Sequence, residues 1–338
     1  MVKPYKKSKG YDCLIGISGG KDSHYQTWFV KEVLGLKPLT VTFNHLDNSQ
    51  TGIRNLENLI TKFQVDHIRF TPNPEVVRKS CRVATQKLAD PFWHEHAGIY
   101  TFPVQMAVKY QIPLIIWGEY GFMDLLGMFS HEDFIEMGKK LRMEHGMRGM
   151  EVQDFLKGNR EGLTERDMEW AVYPSNEEIE KLGLRGIYLG NYIKWDSNKQ
   201  TKQMITQFDF ATEQKERTFN CYENVECYFN DSVHDYMKYL KYGYGRATDH
   251  ASQLIRLGYI TREEGAWLVN RFDPIKHVRW YEFLKYVDLS EKEVLEAVER
   301  NRDPRWSGVW EDILPEKHPD SLPYFQNPAK PRTGRVFI

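Results

Sequence analysis

The segment Ser18–Ser23, SGGKDS, carries the residue types that grip a chain of phosphates. Gly19 and Gly20 let the backbone turn tightly and approach an anion with no Cβ in the way. Amides that open a helix around Asp22 and Ser23 present the positive end of its dipole. Ser18 and Ser23 add hydroxyl donors, and Lys21 adds a charge. Asp22 opposes a bare phosphate, so it either holds Mg²⁺ with the nucleotide or caps the helix. This is not the kinase-type P-loop GxxxxGK[ST], because Ile15 stands where the first glycine belongs and Asp22 follows the lysine. GxGxxG is absent too. A turn that binds nothing is the alternative.

Other residues fit chemistry less uniquely. His94 and His96 flank Glu95 in DPFWHEHAG (90–98), read here as an aromatic loop. An imidazole there can move a proton, ligate a metal, or serve only structure. The spacing is not that of HExxH zinc proteases. Gly118 and Glu119 end a strand, where the carboxylate reaches Mg²⁺ or a ribose, or caps the next helix. KYGYGRATDH (241–250) sets Tyr244, Arg246 and Asp249 close together, with His250 after them. An arginine beside aromatics suits a nucleotide-sugar diphosphate, and equally a helix junction with a salt bridge. The cysteines at 13, 81, 221 and 227 lack CxxC spacing. Cys221 and Cys227 are metal ligands, a redox pair or ordinary thiols, and the spacing predicts no tightly bound zinc.

Positioning such residues takes a scaffold, and the pattern describes one. Strands are expected at 13–18, 38–43, 67–72 and 114–119, joined by helices over 22–34, 52–63, 74–88 and 99–110. Apolar strands linked through helices imply a parallel sheet covered on both faces, with ligands along the edge where the strands end. A fifth strand is expected in 186–195. The fold class is therefore α/β, a doubly wound parallel sheet with a helical C-terminal region. The expected division is a short extension over 1–10, a nucleotide domain over 11–205 with an insertion at about 120–185, a helical region over 206–300, and a Pro-rich tail over 301–338. Helix starts are expected at Asp231, Thr261, Asp273 and Ser290; Glu264 three residues after Thr261 makes a capping box.

Composition narrows the class. The chain of 338 residues has 46 basic and 47 acidic side chains, for a net charge of −1. A protein gripping long nucleic acid usually shows a basic excess, so nucleic acid is not the expected partner. No stretch reads as a signal peptide or a membrane span, and the expectation is a cytoplasmic protein without a membrane partner.

SGGKDS resembles the PP-loop of the ATP pyrophosphatase superfamily, a HUP-like adenine nucleotide hydrolase fold. Enzymes of that superfamily cleave ATP between its α and β phosphates and adenylate a carbonyl oxygen. VTFNH (41–45), GIRNLENLI (52–60), DHIRFTPNPEVVRK (66–79), HAGIYTFPVQMAVKYQIPLIIWGE (96–119) and KYLKYGYGRATDHAS (238–252) resemble the N-acetyl sugar amidotransferase family, which serves lipopolysaccharide and related glycans. The likeness spans most of residues 11–300. It implies ATP and Mg²⁺ as cofactors, with Ser18, Gly19, Gly20, Lys21, Asp22 and Ser23 on the phosphates. It implies adenine at Thr42, Phe43 and Asn44 (Phe43 also reads as core), with Gly118 and Glu119 nearby. Lys21, Asp22, His94 and His96 are then the catalytic candidates, and Tyr244, Arg246 and Asp249 the substrate-binding ones. Family members usually begin with a cysteine-rich zinc segment, whereas the residues before Tyr11 contain no cysteine, and no N-terminal zinc site is expected.

The reaction so implied is amidination. ATP activates the acetamido oxygen of a nucleotide-linked N-acetyl sugar, ammonia attacks the carbon, and AMP leaves. No cysteine stands in a nucleophile-elbow context, so ammonia is expected from a separate glutaminase subunit. A cyclase-like ammonia-channel partner and a homo-oligomer stay open. The competing enzyme is a tRNA thiolase, which would want paired cysteines and a basic face. A nucleotide-sensing module without turnover is the third reading, against which the intact Lys21, Asp22 and Ser23 argue.

Overall fold

In the computed structural model, residues 1–119 and 134–305 are described. The expected Pro-rich tail beyond 305 and the first part of the expected insertion, 120–133, lie outside them. Strands β1 Cys13–Gly16, β2 Pro38–Phe43, β3 Asp66–Phe70, β4 Leu114–Trp117 and β5 Arg185–Tyr188 form one sheet in the order β3-β2-β1-β4-β5. Every pairing is parallel, with Cys13 opposite Pro38 and Leu14 opposite Ile115. The α/β doubly wound fold is therefore what the chain adopts. The sheet order reverses between β1 and β4, which puts a crevice at the ends of those two strands.

Alternation along the strands explains why both faces are covered. Cys13, Ile15, Leu114 and Ile116 enter one core, and Leu14, Leu39, Val41 and Ile115 enter the other. Residues two apart share a face, so a strand apolar at every position has no face left for water. The first face is covered by α1 Lys21–Trp28, α2 Gln50–Phe63 and, later in the chain, α7 Ser197–Phe208. The second is covered by α3 Pro74–Leu88, α4 Trp93–Lys109 and short helices α5 Val152–Leu156 and α6 Asn176–Leu182.

The C-terminal region is helical: α8 Asn230–Tyr242, α9 Arg246–Arg256, α10 Arg262–Phe272, α11 Trp280–Val287 and α12 Glu291–Arg300. Thr261 and Ser290 start their helices as expected, Thr261 with the expected capping box and Ser290 with one as well. Asp273 does not. It ends α10, and its carboxylate reaches back to accept Gly245 N at 2.8 Å and Ala247 N at 2.9 Å, capping α9 from a distance. A third core, with Cys81, Val233, Trp280, Phe283 and Val294, ties α3 to α8, α11 and α12.

One expected loop is a helix. Residues 93–98 open α4, because Trp93 and Ala97 lie one turn apart and both bury in the second core. Trp93 stacks on Phe155 with ring centroids 3.9 Å apart, and its Nε1 donates to Met147 O at 3.1 Å. The fifth strand is also shorter than expected, turning into a 3-10 helix over Leu189–Asn191.

Candidate active site

A cavity of about 340 Å³ opens at the carboxyl ends of β1, β2 and β4. That size suits a small molecule, for which pockets run roughly 300–1,000 Å³. All of Ser18–Ser23 line it, together with Thr42, Phe43, Gly118 and Glu119. Within the loop, Ser18 N donates to Ser23 Oγ at 2.8 Å and Gly20 N donates to Ser18 Oγ at 3.1 Å. These bonds fold the turn around its own hydroxyls and leave α1 opening directly behind it. Gly19 has no room for a side chain, since a Cβ would stand 2.2 Å from Gly52 O at the start of α2. A Cβ on Gly20 would stand 2.6 Å from Glu226 Oε1.

The lysine of the loop is surrounded by acids. Lys21 Nζ lies 2.5 Å from Asp22 Oδ2 and 3.2 Å from Glu223 Oε1. Burial alone would lower its ammonium, but Asp22, Glu223 and Glu119 outweigh it and hold the group above its ordinary value. Asp22 is raised by burial first, helped by Glu223 and opposed by Lys21. Glu119 is pushed up to about 8, by burial first and then by the charge of Asp22. Burial raises Glu226 as well. A triphosphate would bring further negative charge into this ring. Carboxylate and phosphate oxygens together are the ligands Mg²⁺ takes, so the donor set fits that ion, with Asp22 and Glu223 best placed to hold it. Tyr222, Glu223, Asn224 and Glu226 escape sequence reasoning, because CYENVEC (221–227) has neither helical nor strand periodicity to place it. Its two glutamates between two cysteines are the signal that was there to find.

Arg246 and His250 of α9 also line the cavity, whereas Tyr244 and Asp249 do not. Arg246 Nε lies 2.8 Å from Asp235 Oδ2 and its Nη2 lies 3.1 Å from Asp231 Oδ1. Its charge is thus already balanced by two buried carboxylates. Asp249 pairs with Lys238 at 2.6 Å, and the same ammonium sits 4.7 Å from the centre of the Tyr244 ring. The salt-bridged helix junction considered above is what these three residues build. His250 Nδ1 lies 2.7 Å from Thr218 Oγ1, and burial, then the charge of Arg246, pushes the imidazole down to about 3, so it is neutral.

Three expected placements need correction. His94 and His96 stand in the first turns of α4 rather than in a loop, and neither lines the cavity. His94 is 0% exposed, and burial pushes it down to about 3. Burial, then the charge of Arg148, holds His96 well below its usual value. A neutral imidazole closed off from the cavity has no proton to give a bound substrate. Asn44 turns away too: its Nδ2 donates to Thr71 Oγ1 at 3.0 Å, and its Oδ1 accepts Asn48 Nδ2 at 2.7 Å. That leaves Thr42 and Phe43 as the β2 contribution. Phe43 is core as well, packed 4.9 Å from the Trp170 ring.

Comparison with known proteins adds a family for the C-terminal region. Residues 202–311 match the family described as LPS biosynthesis protein WbpG-like, C-terminal domain. A search of curated proteins found no match. Among solved structures, one similar chain is titled "Structure of NMN synthetase from Francisella tularensis", at 12% identity and a TM-score of 0.28, covering 60% of this chain and 88% of that one. Among the described residues, no helix is long and apolar enough to cross a membrane. The match assigns a WbpG-like C-terminal domain to residues 202–311, and Tyr222, Glu223, Asn224 and Glu226 of that domain line the cavity beside Ser18–Ser23.

Proposed function

We propose that this protein is an ATP-dependent amidotransferase that turns the N-acetyl group of a nucleotide-linked sugar into an acetamidine for surface polysaccharide synthesis. One observation carries the reading. The PP-loop and Tyr222, Glu223, Asn224 and Glu226 of the WbpG-like domain line the same cavity, joined through the Lys21–Glu223 ion pair. A phosphate cradle and a surface-glycan domain thus address one bound pair of substrates.

The chemistry follows from what the groups can do. The acetamido oxygen attacks the α-phosphorus of ATP, and pyrophosphate leaves into the Ser18–Ser23 cradle. Ammonia then adds to the carbon, and AMP departs with the former acetamido oxygen. Activation is required because AMP is a far better leaving group than oxide. Mg²⁺, held by Asp22 and Glu223, would neutralise charge on the pyrophosphate. Lys21 holds the same phosphates. Glu119, with its carboxyl near 8, is suited to take the proton that the attacking ammonia releases. Ammonia comes from a separate glutaminase in this reading, since no cysteine stands in a nucleophile-elbow context and Cys13, Cys81 and Cys221 are buried.

The test is to incubate the protein with ATP, Mg²⁺, ammonium and a panel of UDP- and CMP-linked N-acetyl sugars. One sugar should give AMP, pyrophosphate and a product lighter by the difference between O and NH. ADP formation, or AMP without any change in sugar mass, would overturn the reading.

A further inference from the structure

A second set of ligating side chains lies at the wall of the nucleotide cavity, which His45 lines, and the reaction proposed above uses none of it. His45 and Asp47 follow β2, and Cys227 precedes α8. Each brings one donor atom within 4.8 Å of the other two. Their segments are stitched together, with Tyr228 N donating to Asp47 O at 2.8 Å and an antiparallel bridge between Asn48 and Cys227. The Asp47 carboxylate accepts Asn230 N at 2.7 Å and Phe229 N at 3.1 Å, bonds of the kind that orient a metal-binding carboxylate. His45 Nδ1 accepts Asp47 N at 3.1 Å and lies 3.6 Å from Glu95 Oε2, and with Nδ1 so engaged the ring's Nε2 is the nitrogen left to ligate.

Lys215 lies beside the group, its Nζ donating to Cys227 O at 3.1 Å, but Glu95 has no such partner. Glu95 is 2% exposed and no lysine or arginine pairs with it among the described residues; its hydrogen bond comes from the neutral Asn230 amide. Buried carboxylates are costly without a cation. Nearby, His94 Nε2 lies 3.9 Å from Glu95 Oε1 and has no hydrogen-bond partner, and Asp231 Oδ2 has none either.

We propose that His45, Asp47, Glu95 and Cys227 form a binding site for a zinc-class divalent cation, which ties the turn after β2 and helix α4 to the C-terminal region. A thiolate and an imidazole select zinc or cobalt over Mg²⁺ or Ca²⁺. With metal–ligand bonds of about 2.0–2.3 Å, donors of a tetrahedral zinc stand roughly 3.3–3.8 Å apart, so the donors here need draw in only slightly. Four protein ligands close the coordination shell, which is the pattern of a structural site. Cysteine spacing could not show it, because the fold brings a single cysteine to ligands from two distant segments.

The test does not depend on nucleotide chemistry. Purified wild-type protein should hold about one equivalent of zinc by elemental analysis. After chelator stripping, added cobalt(II) should give the thiolate-to-cobalt charge-transfer band in the near ultraviolet. The band should persist in Cys221→Ser and vanish in Cys227→Ser, with at least ~10-fold weaker metal affinity. Circular dichroism reports whether each variant folds. The wild-type band decides by itself where a variant does not, because Cys227 is the one cysteine of the four that is not buried. Wild-type protein with neither zinc nor a cobalt–thiolate band overturns the proposal, and so does a band that survives in Cys227→Ser.

Discussion

Glu223 Oε1 lies 3.2 Å from Lys21 Nζ, so the C-terminal region completes the charge balance of the phosphate loop. Asp22, Glu119, Glu223 and Glu226 share the cavity with that lysine, and a triphosphate would add to the repulsion. ATP binding should therefore strengthen at least ~10-fold when Mg²⁺ replaces chelator, a difference of about 1.4 kcal/mol or more. Glu223→Gln should shrink that ratio by relieving part of the repulsion. Calorimetric titration checks both, and equal ATP affinity with and without Mg²⁺ would contradict them.

The two loop glycines should differ in their tolerance. A Cβ on Gly19 meets backbone at Gly52 O, whereas one on Gly20 meets the movable end of Glu226. Forced overpacking costs about 1–3 kcal/mol. Gly19→Ala should lower both the unfolding midpoint and ATP affinity. Gly20→Ala should spare stability and weaken ATP binding less; Gly20→Val should abolish ATP binding in a folded protein. Unchanged ATP affinity in Gly19→Ala would show that the loop is not the phosphate cradle.

Arg246 sits between Asp231 and Asp235, so its removal strands two buried carboxylates. Breaking such a pair costs about 3–5 kcal/mol. Arg246→Ala should show a large drop in denaturant midpoint, while exposed Tyr244→Phe should leave stability unchanged. A stable Arg246→Ala protein with only a raised KM for the sugar would instead return this arginine to substrate binding.

Acid should weaken the fold through histidines kept neutral. His67 on β3 is pushed down to about 4, by burial first and then by Arg69, with Thr40 Oγ1 3.0 Å from its Nδ1. The unfolded chain takes up its proton near pH ~6.5, while the folded one resists until about pH 4. Stability from this group is present in full above that unfolded value and is lost as pH falls towards the folded one. Raised carboxyls such as Glu119 act on both proteins alike, so between pH 7 and pH 5 His67→Gln should lose less stability than wild type. The same pH dependence in wild type and His67→Gln would refute the argument.

What the sequence disclosed depended on periodicity and local spacing. The strand-to-helix position of SGGKDS and the apolar runs around it were enough for the sheet, the loop and its edge. Capping at Thr261 and Ser290 was legible because a capping box is local. Asp273 was not, because it caps α9 from another helix. His94 and His96 looked like loop residues since aromatic and polar side chains interrupt the helical stripe, yet tertiary packing of Trp93 extends the helix through them. Glu223 and Glu226 had no pattern to place them, and only the folded chain brings them to Lys21.

The central claim is that ATP is cleaved to activate an acetamido oxygen, and that oxygen can be followed. The most direct measurement supplies the accepted N-acetyl sugar with heavy oxygen in its acetamido group, then examines AMP by mass spectrometry. If the oxygen attacks the α-phosphorus and leaves with AMP, each AMP should carry one heavy oxygen and the sugar product none. Unlabelled AMP, with the label retained in the sugar or found in inorganic phosphate, would contradict the account.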